Sequence, residues 1–157
     1  MTWSRGADRV QELIEHGELD EVEPSDDLAR RLLADAEQHQ LSARTIAPDD
    51  LNGAYQLAYD ALRKVAAALL AVQGLRATSR GGHLALQEAV VAQFGDGVAV
   101  FRAFSRVRRN RNRFEYPSDS ASEATRDDVD DALRVAAKTA ATALTILDRK
   151  VLSPWRS

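Results

Sequence analysis

The sequence predicts an all-α protein, a bundle of four long helices with shorter helices added. Three observations predict it. Apolar residues recur at three- and four-residue steps through most of the chain. Prolines, glycines and capping residues fall where those runs begin and end. No stretch alternates apolar and polar residues over a useful strand length, and no segment repeats another. At 157 residues the chain fits one domain with one core. Residues 1–45 read as a helical N-terminal extension and residues 48–152 as the core bundle.

The elements follow in order. A short helix is predicted from about Gly6 to His16, with Val10, Leu13 and Ile14 on one side and Gly17 as its stop. The next opens at Pro24-Ser25-Asp26-Asp27, where serine or aspartate can cap. It repeats Leu28, Leu32, Leu33 and Ala36 and runs to about Ala43. The third begins after Pro48, capped by Asp49 or Asp50, and ends at Gly74. Tyr55, Leu57, Tyr59, Leu62, Val65, Ala66, Leu69 and Leu70 make it the central core helix.

A loop from Arg76 to Gly82 (RATSRGG) leads into a helix from His83 to Phe94, broken by Gly95-Asp96-Gly97. An arginine-rich helix spans Val98 to Tyr116 and stops at Pro117. After a polar stretch, the last helix runs from about Glu123 to Leu152 with Val129, Leu133, Val135, Ala136, Ala140, Leu144 and Leu147 inward. Asp127, Asp128, Asp130 and Asp131 near its start read as acids favoured by the helix dipole.

Composition narrows the function. Apolar residues make up 45% and charged residues 29%, the balance of a folded globular protein. The absence of cysteine excludes disulfides, thiolate zinc sites, iron–sulfur clusters and thiol nucleophiles. The longest apolar run, Val65 to Val72, is far short of the roughly 20 residues that cross a bilayer. The opening MTWSRGADRV lacks the apolar segment of a signal peptide. The expectation is a soluble cytoplasmic protein with no membrane partner. Arginines (18) far outnumber lysines (3), a bias that GC-rich bacterial genomes produce.

The net charge of −3 conceals a division. Residues 1–60 carry −9, residues 61–116 carry +7 and residues 117–157 carry −1. Such asymmetry points to a local anionic ligand, or to pairing between segments of the chain.

The positive charge concentrates in the arginine-rich helix. On a helical wheel Val100, Phe104, Val107 and Phe114 share one face, while Arg102, Arg106, Arg109 and Arg113 form a solvated stripe on the other. Arg111 lies inside the apolar sector, a costly place for a permanent cation unless an acceptor meets it. Arg108 and Asn112 flank it, and Tyr116 lies one step further round. Two readings stay open: Arg111 pairs internally with an acid such as Asp60 or Glu115, or it meets a phosphate-bearing ligand or a second subunit at a cleft.

The segment Arg108 to Pro117 (RRNRNRFEYP) resembles the signature helix of HEPN domains, small helical bundles of bacterial toxin–antitoxin and defence systems. Their mark is an arginine, a polar residue, and a histidine four to six residues after the arginine. Arg111-Asn112 matches the first half, and Tyr116 stands where the histidine belongs. The helix from Ala54 to Gly74, followed by Gly81-Gly82-His83, is similar to a HEPN core helix and its turn. The likeness covers about residues 50–150.

The resemblance implies an RNA- or nucleotide-binding protein that works as a homodimer with two signature helices facing across a cleft. It implies Arg111 as phosphate anchor, with Arg108, Arg109, Asn112 and Arg113 as ligand-binding neighbours. In active relatives, metal-independent endoribonucleases without a cofactor, the histidine handles the 2′-hydroxyl proton. Here Tyr116 occupies that position, and tyrosine, titrating near 10, is a poor base at neutral pH. No histidine follows Arg111. His83, at a helix start, either bonds locally or serves the cleft as an accessory. Some HEPN proteins pair with a nucleotidyltransferase that modifies a tyrosine, which makes Tyr116 a candidate acceptor. The alternative reading is a non-catalytic interaction module whose partner is a nucleotidyltransferase, an antitoxin or another acidic protein.

Other signals carry less. His16 with Glu12 and His39 with Asp35 have the spacing of a half metal site, but bundle metals need ligands from several helices, so no metal is expected. There is no phosphate-cradling glycine loop and no serine in a nucleophile elbow.

Overall fold

The structure, a computed structural model, describes residues 4–95, 99–119 and 122–155. It contains helices α1 (Ala7–Glu15), α2 (Asp26–Ile46), α3 (Leu51–Gln73), α4 (Gly82–Phe94), α5 (Ala99–Glu115) and α6 (Arg126–Asp148). Two short strands, β1 (Leu19–Glu21) and β2 (Leu75–Ala77), complete it. The chain is mostly helical, as its apolar periodicity requires.

Local chemistry sets most of the boundaries. The Ser25 hydroxyl accepts from the Leu28 amide at 3.1 Å and starts α2, while the Asp50 carboxylate accepts from the Gly53 amide at 2.8 Å and starts α3. Asp50, not Asp49, is therefore the cap. At the far end of α3, Gly74 turns the chain with φ +74, and a Cβ there would sit 2.5 Å from the Val22 carbonyl oxygen. Only glycine tolerates both the left-handed backbone and that approach.

Several expectations need correction. The segment expected as loop from Arg76 begins within β2, which pairs antiparallel with β1 in the register Leu19↔Ala77 and Glu21↔Leu75. Strands of three residues are too short to show alternation, and they form because the turns after α1 and α3 lie side by side. Helix α2 continues past Ala43 to Ile46. Helix α6 starts at Arg126, not Glu123, because Thr125 and Asp128 form a reciprocal capping box. It ends at Asp148, short of Leu152, and Lys150 then takes φ 51. The Leu152 and Trp155 side chains fold back on the core. Leu28 and Leu144, expected inside, are exposed, and Leu57 is half-buried. Asp96, Gly97 and Val98, and the Val100 side chain, lie outside the described residues.

Helix α3 is the axis of the bundle and packs against α2, α4, α5 and α6, while α1 rests on α4. Its Tyr55, Tyr59, Leu62, Val65 and Leu69 are buried, each aliphatic contributing about 1.5–3 kcal/mol of transfer energy. One polar pair sits in this core. Gln73 and Gln93 exchange amide hydrogen bonds at 2.7 and 3.1 Å, so neither carboxamide is left unsatisfied.

Candidate functional site

Two tyrosines of α3 hold α5 in place. Tyr55 meets the Phe114 ring edge-on at 4.9 Å and donates its hydroxyl to the Val107 carbonyl at 3.3 Å. Tyr59 meets Phe104 edge-on at 6.2 Å. Phe101, Phe104, Val107 and Phe114 are buried, so the apolar face drawn from the sequence is the packed one. Burial pushes the Tyr55 phenol up to about 12, partly opposed by a hydrogen bond from Asn110.

Arg111 emerges between these two clamps. Its guanidinium carbon lies 5.6 Å from the centroid of the Tyr59 ring. Nε donates to the Gln56 carboxamide oxygen at 2.7 Å, and one terminal nitrogen donates to Asn112 Oδ1 at 3.3 Å. The nearest carboxylate partner is Glu115 at 3.9 Å, the outer edge of an ion pair. Asp60 is engaged elsewhere, accepting from Arg63 at 3.4 Å. The side chain of Arg111 keeps 22% of its surface open to solvent. Of the two open readings, internal pairing with Asp60 is not observed, and pairing with Glu115 is marginal. The close partner of this cation is a neutral amide.

Tyr59 also meets a histidine. His83, in the first turn of α4, lies with its ring 5.8 Å from the Tyr59 ring and remains exposed. Partial burial lowers its pKa from the usual value, Arg63, Arg111 and Arg108 lower it further, and Asp60 opposes them. The same arginines hold down a Tyr59 phenol that burial raises. Arg63, Arg108, Arg111 and His83 therefore share one electrostatic neighbourhood around Tyr59, with Asp60 as its acid. A lowered pKa favours the unprotonated imidazole, the form that can accept a proton.

The remaining arginines separate into roles. Arg102, Arg106, Arg109 and Arg113 are exposed, as the wheel requires. Yet Arg102 donates to the Gly95 carbonyl at 2.7 Å, and Arg106 pairs with Asp131 of α6 at 2.9 Å, so neither is a free solvated charge. Arg113 lies over the Phe114 ring at 4.9 Å. Asn112 is half-buried beside Arg111. Tyr116 follows the end of α5 with 73% of its surface exposed, its amide donating to the Asn112 carbonyl at 3.0 Å.

Gln56, Tyr59 and Arg63 were missed as site residues. A signal existed in the cation Arg63, four residues after Tyr59 and so on the same helix face. Among the described residues no group of three or more metal-ligating side chains gathers, and no helix is long and apolar enough to cross a membrane. No family model matches the chain, and no curated protein or solved structure matches it.

Proposed function

We propose that the chain is a HEPN-type RNA- or nucleotide-binding protein of the toxin–antitoxin or defence kind, acting as a metal-independent ribonuclease. Arg111, Arg108 and Arg63 hold a phosphate, Asn112 and Gln56 orient Arg111, and His83 takes the part of the histidine missing after Arg111. The observation that carries this reading is that the Arg111 guanidinium and the exposed His83 imidazole both meet the Tyr59 ring, at 5.6 and 5.8 Å. Guanidinium binds phosphate through paired hydrogen bonds, and an anchor whose close partner is neutral keeps its charge for the ligand.

The step follows from those groups. His83 takes the proton of a ribose 2′-hydroxyl, and the 2′-oxygen attacks the adjacent phosphorus. The bond from phosphorus to the 5′-oxygen breaks, and that oxygen leaves with a proton from the imidazolium. The products are a 2′,3′-cyclic phosphate and a 5′-hydroxyl end. The arginines stabilise the charge gathered on the phosphoryl oxygens. Pairing of two copies across α5 is part of the proposal and rests on the resemblance of Arg108 to Pro117 to the HEPN signature.

The test is incubation of single-stranded RNA with the purified protein in excess chelator. Cleavage with cyclic-phosphate ends that Arg111→Ala abolishes supports the proposal. A protein free of nucleic acid that neither binds nor cleaves RNA, but captures a neighbour-encoded protein, replaces it with the interaction-module reading.

A further inference from the structure

A groove of about 630 Å3 opens directly beside the cationic cluster. That volume falls in the range of roughly 300–1,000 Å3 typical of small-molecule sites. Ala67, Ala71 and Leu75 form its floor, and Leu28, Leu32 and Leu86 its walls. Leu28 keeps 39% of its surface exposed at the rim.

The groove has two chemically different ends. Arg63 and His83 belong both to its lining and to the neighbourhood of Arg111. Tyr59, Arg63, Ala67 and Ala71 lie on successive turns of α3, so one helix face carries the cluster into the groove floor. Glu23 lines the opposite end together with the cation Arg76. It is placed there by the backbone, because the Val22 amide donates to the Gly74 carbonyl and the Ser25 amide to the Ala71 carbonyl. Arg63 and Ala71 are about 12 Å apart along the axis at 1.5 Å per residue. The groove thus runs from Arg63 and His83, through an apolar slot, to an end where Glu23 and Arg76 stand together.

We infer that this groove seats one unpaired nucleobase of the bound strand, with its phosphate on Arg63 and Arg111 and its donor edge toward Glu23. The inference rests on the phosphate-site reading above and adds a preference for single strands. Arg63 and Ala67 are one turn apart, about 6 Å along the helix, the span a sugar bridges between phosphate and base. The flat apolar faces of a base suit Leu28, Leu32 and Leu86, and its exocyclic amino group suits a carboxylate acceptor. A paired base cannot enter, because its donor edge is occupied and its faces are stacked.

The experiment measures fluorescence anisotropy of labelled oligoadenylate, the same oligomer with abasic sugars, and the duplex. The wild type is expected to bind oligoadenylate at least tenfold more tightly than the abasic oligomer or the duplex, in line with about 1–3 kcal/mol per seated base. Ala67→Phe fills the floor and removes that advantage while abasic binding stays unchanged. Leu28→Gln, at an exposed position that the fold does not need, reduces it in the same direction. Equal affinity for oligoadenylate and abasic oligomer, or full affinity in both variants, overturns the base subsite while leaving the phosphate site standing. Failure of the wild type to bind any of the three overturns both.

Discussion

Replacing Arg111 by alanine separates an anchor from a strut. The guanidinium contributes a charged hydrogen bond to Gln56 at 2.7 Å and sits 5.6 Å from the Tyr59 centroid. A charged hydrogen bond is worth about 1.5–3 kcal/mol and an exposed cation–π contact about 0.5–1 kcal/mol. Glu115 at 3.9 Å adds little. Gln56 is only half-buried and regains water when Arg111 goes, so the net cost is about 1–2 kcal/mol and Tm falls by about 2–8 °C. The binding cost is larger in proportion. If Arg63, Arg108 and Arg111 each meet a phosphate, log Kd for single-stranded RNA against log salt has a slope magnitude of about 2.1, and the variant about 1.4. Anisotropy titrations over a KCl series, with circular dichroism melting as the fold control, read both numbers. Arg111→Lys keeps the charge but not the planar fork, so it restores the slope while affinity stays low. A folded Arg111→Ala variant with unchanged affinity and unchanged slope refutes the phosphate anchor.

The other predictions address single contacts. His83→Asn leaves RNA affinity intact and abolishes cleavage; loss of binding in equal measure assigns His83 to packing. Because its pKa lies below the usual 6.5, wild-type cleavage falls only as pH drops below the ordinary histidine range, and Arg63→Gln moves that fall to higher pH. Folding disfavours the protonated imidazole, so the stability tied to neutral His83 is complete above pH 6.5 and is lost as pH falls towards the folded value. Gln73→Met strands the buried Gln93 amide at a cost of about 1–3 kcal/mol, and adding Gln93→Met recovers part of it; additive losses in urea melts contradict the paired-amide account. Gln56→Glu gives Arg111 an internal carboxylate, so RNA affinity drops at unchanged or higher Tm, and unchanged affinity removes Gln56 from the site.

What could be read in the sequence was whatever local chemistry decides. Ser25, Asp50 and Gly74 announce helix ends because a cap or a left-handed turn depends on a few neighbouring residues. The buried face of α5 followed from spacing alone. The β1–β2 pair did not, since its two three-residue segments are joined only by the way α1 and α3 end. Arg106 looked solvated because its partner Asp131 lies on α6, a distance in the chain that a helical wheel cannot register. The site divides in the same way. Arg111 stood out by its angular position on one helix, whereas Gln56, Tyr59, Arg63 and His83 join it through the packing of α3 against α4 and α5. His83, named from the sequence as a possible accessory, is brought beside Tyr59 by that packing.

The partner chosen for Arg111 bears on what the site is for. A cation used to fasten α5 to a neighbouring helix can be held by a carboxylate, as Asp131 of α6 holds Arg106. At Gln56 the chain places an amide, which fixes the direction of the guanidinium without neutralising it. Fixing direction lowers the entropy lost when a ligand binds, and leaving the charge whole preserves the Coulomb attraction that brings the ligand in. Partial burial lowers the pKa of His83, and Arg63, Arg111 and Arg108 lower it further against Asp60. On the proposed ribonuclease reading, the negative charge of a bound phosphate would offset part of the arginines' effect and raise the affinity of the imidazole for a proton beside a 2′-hydroxyl.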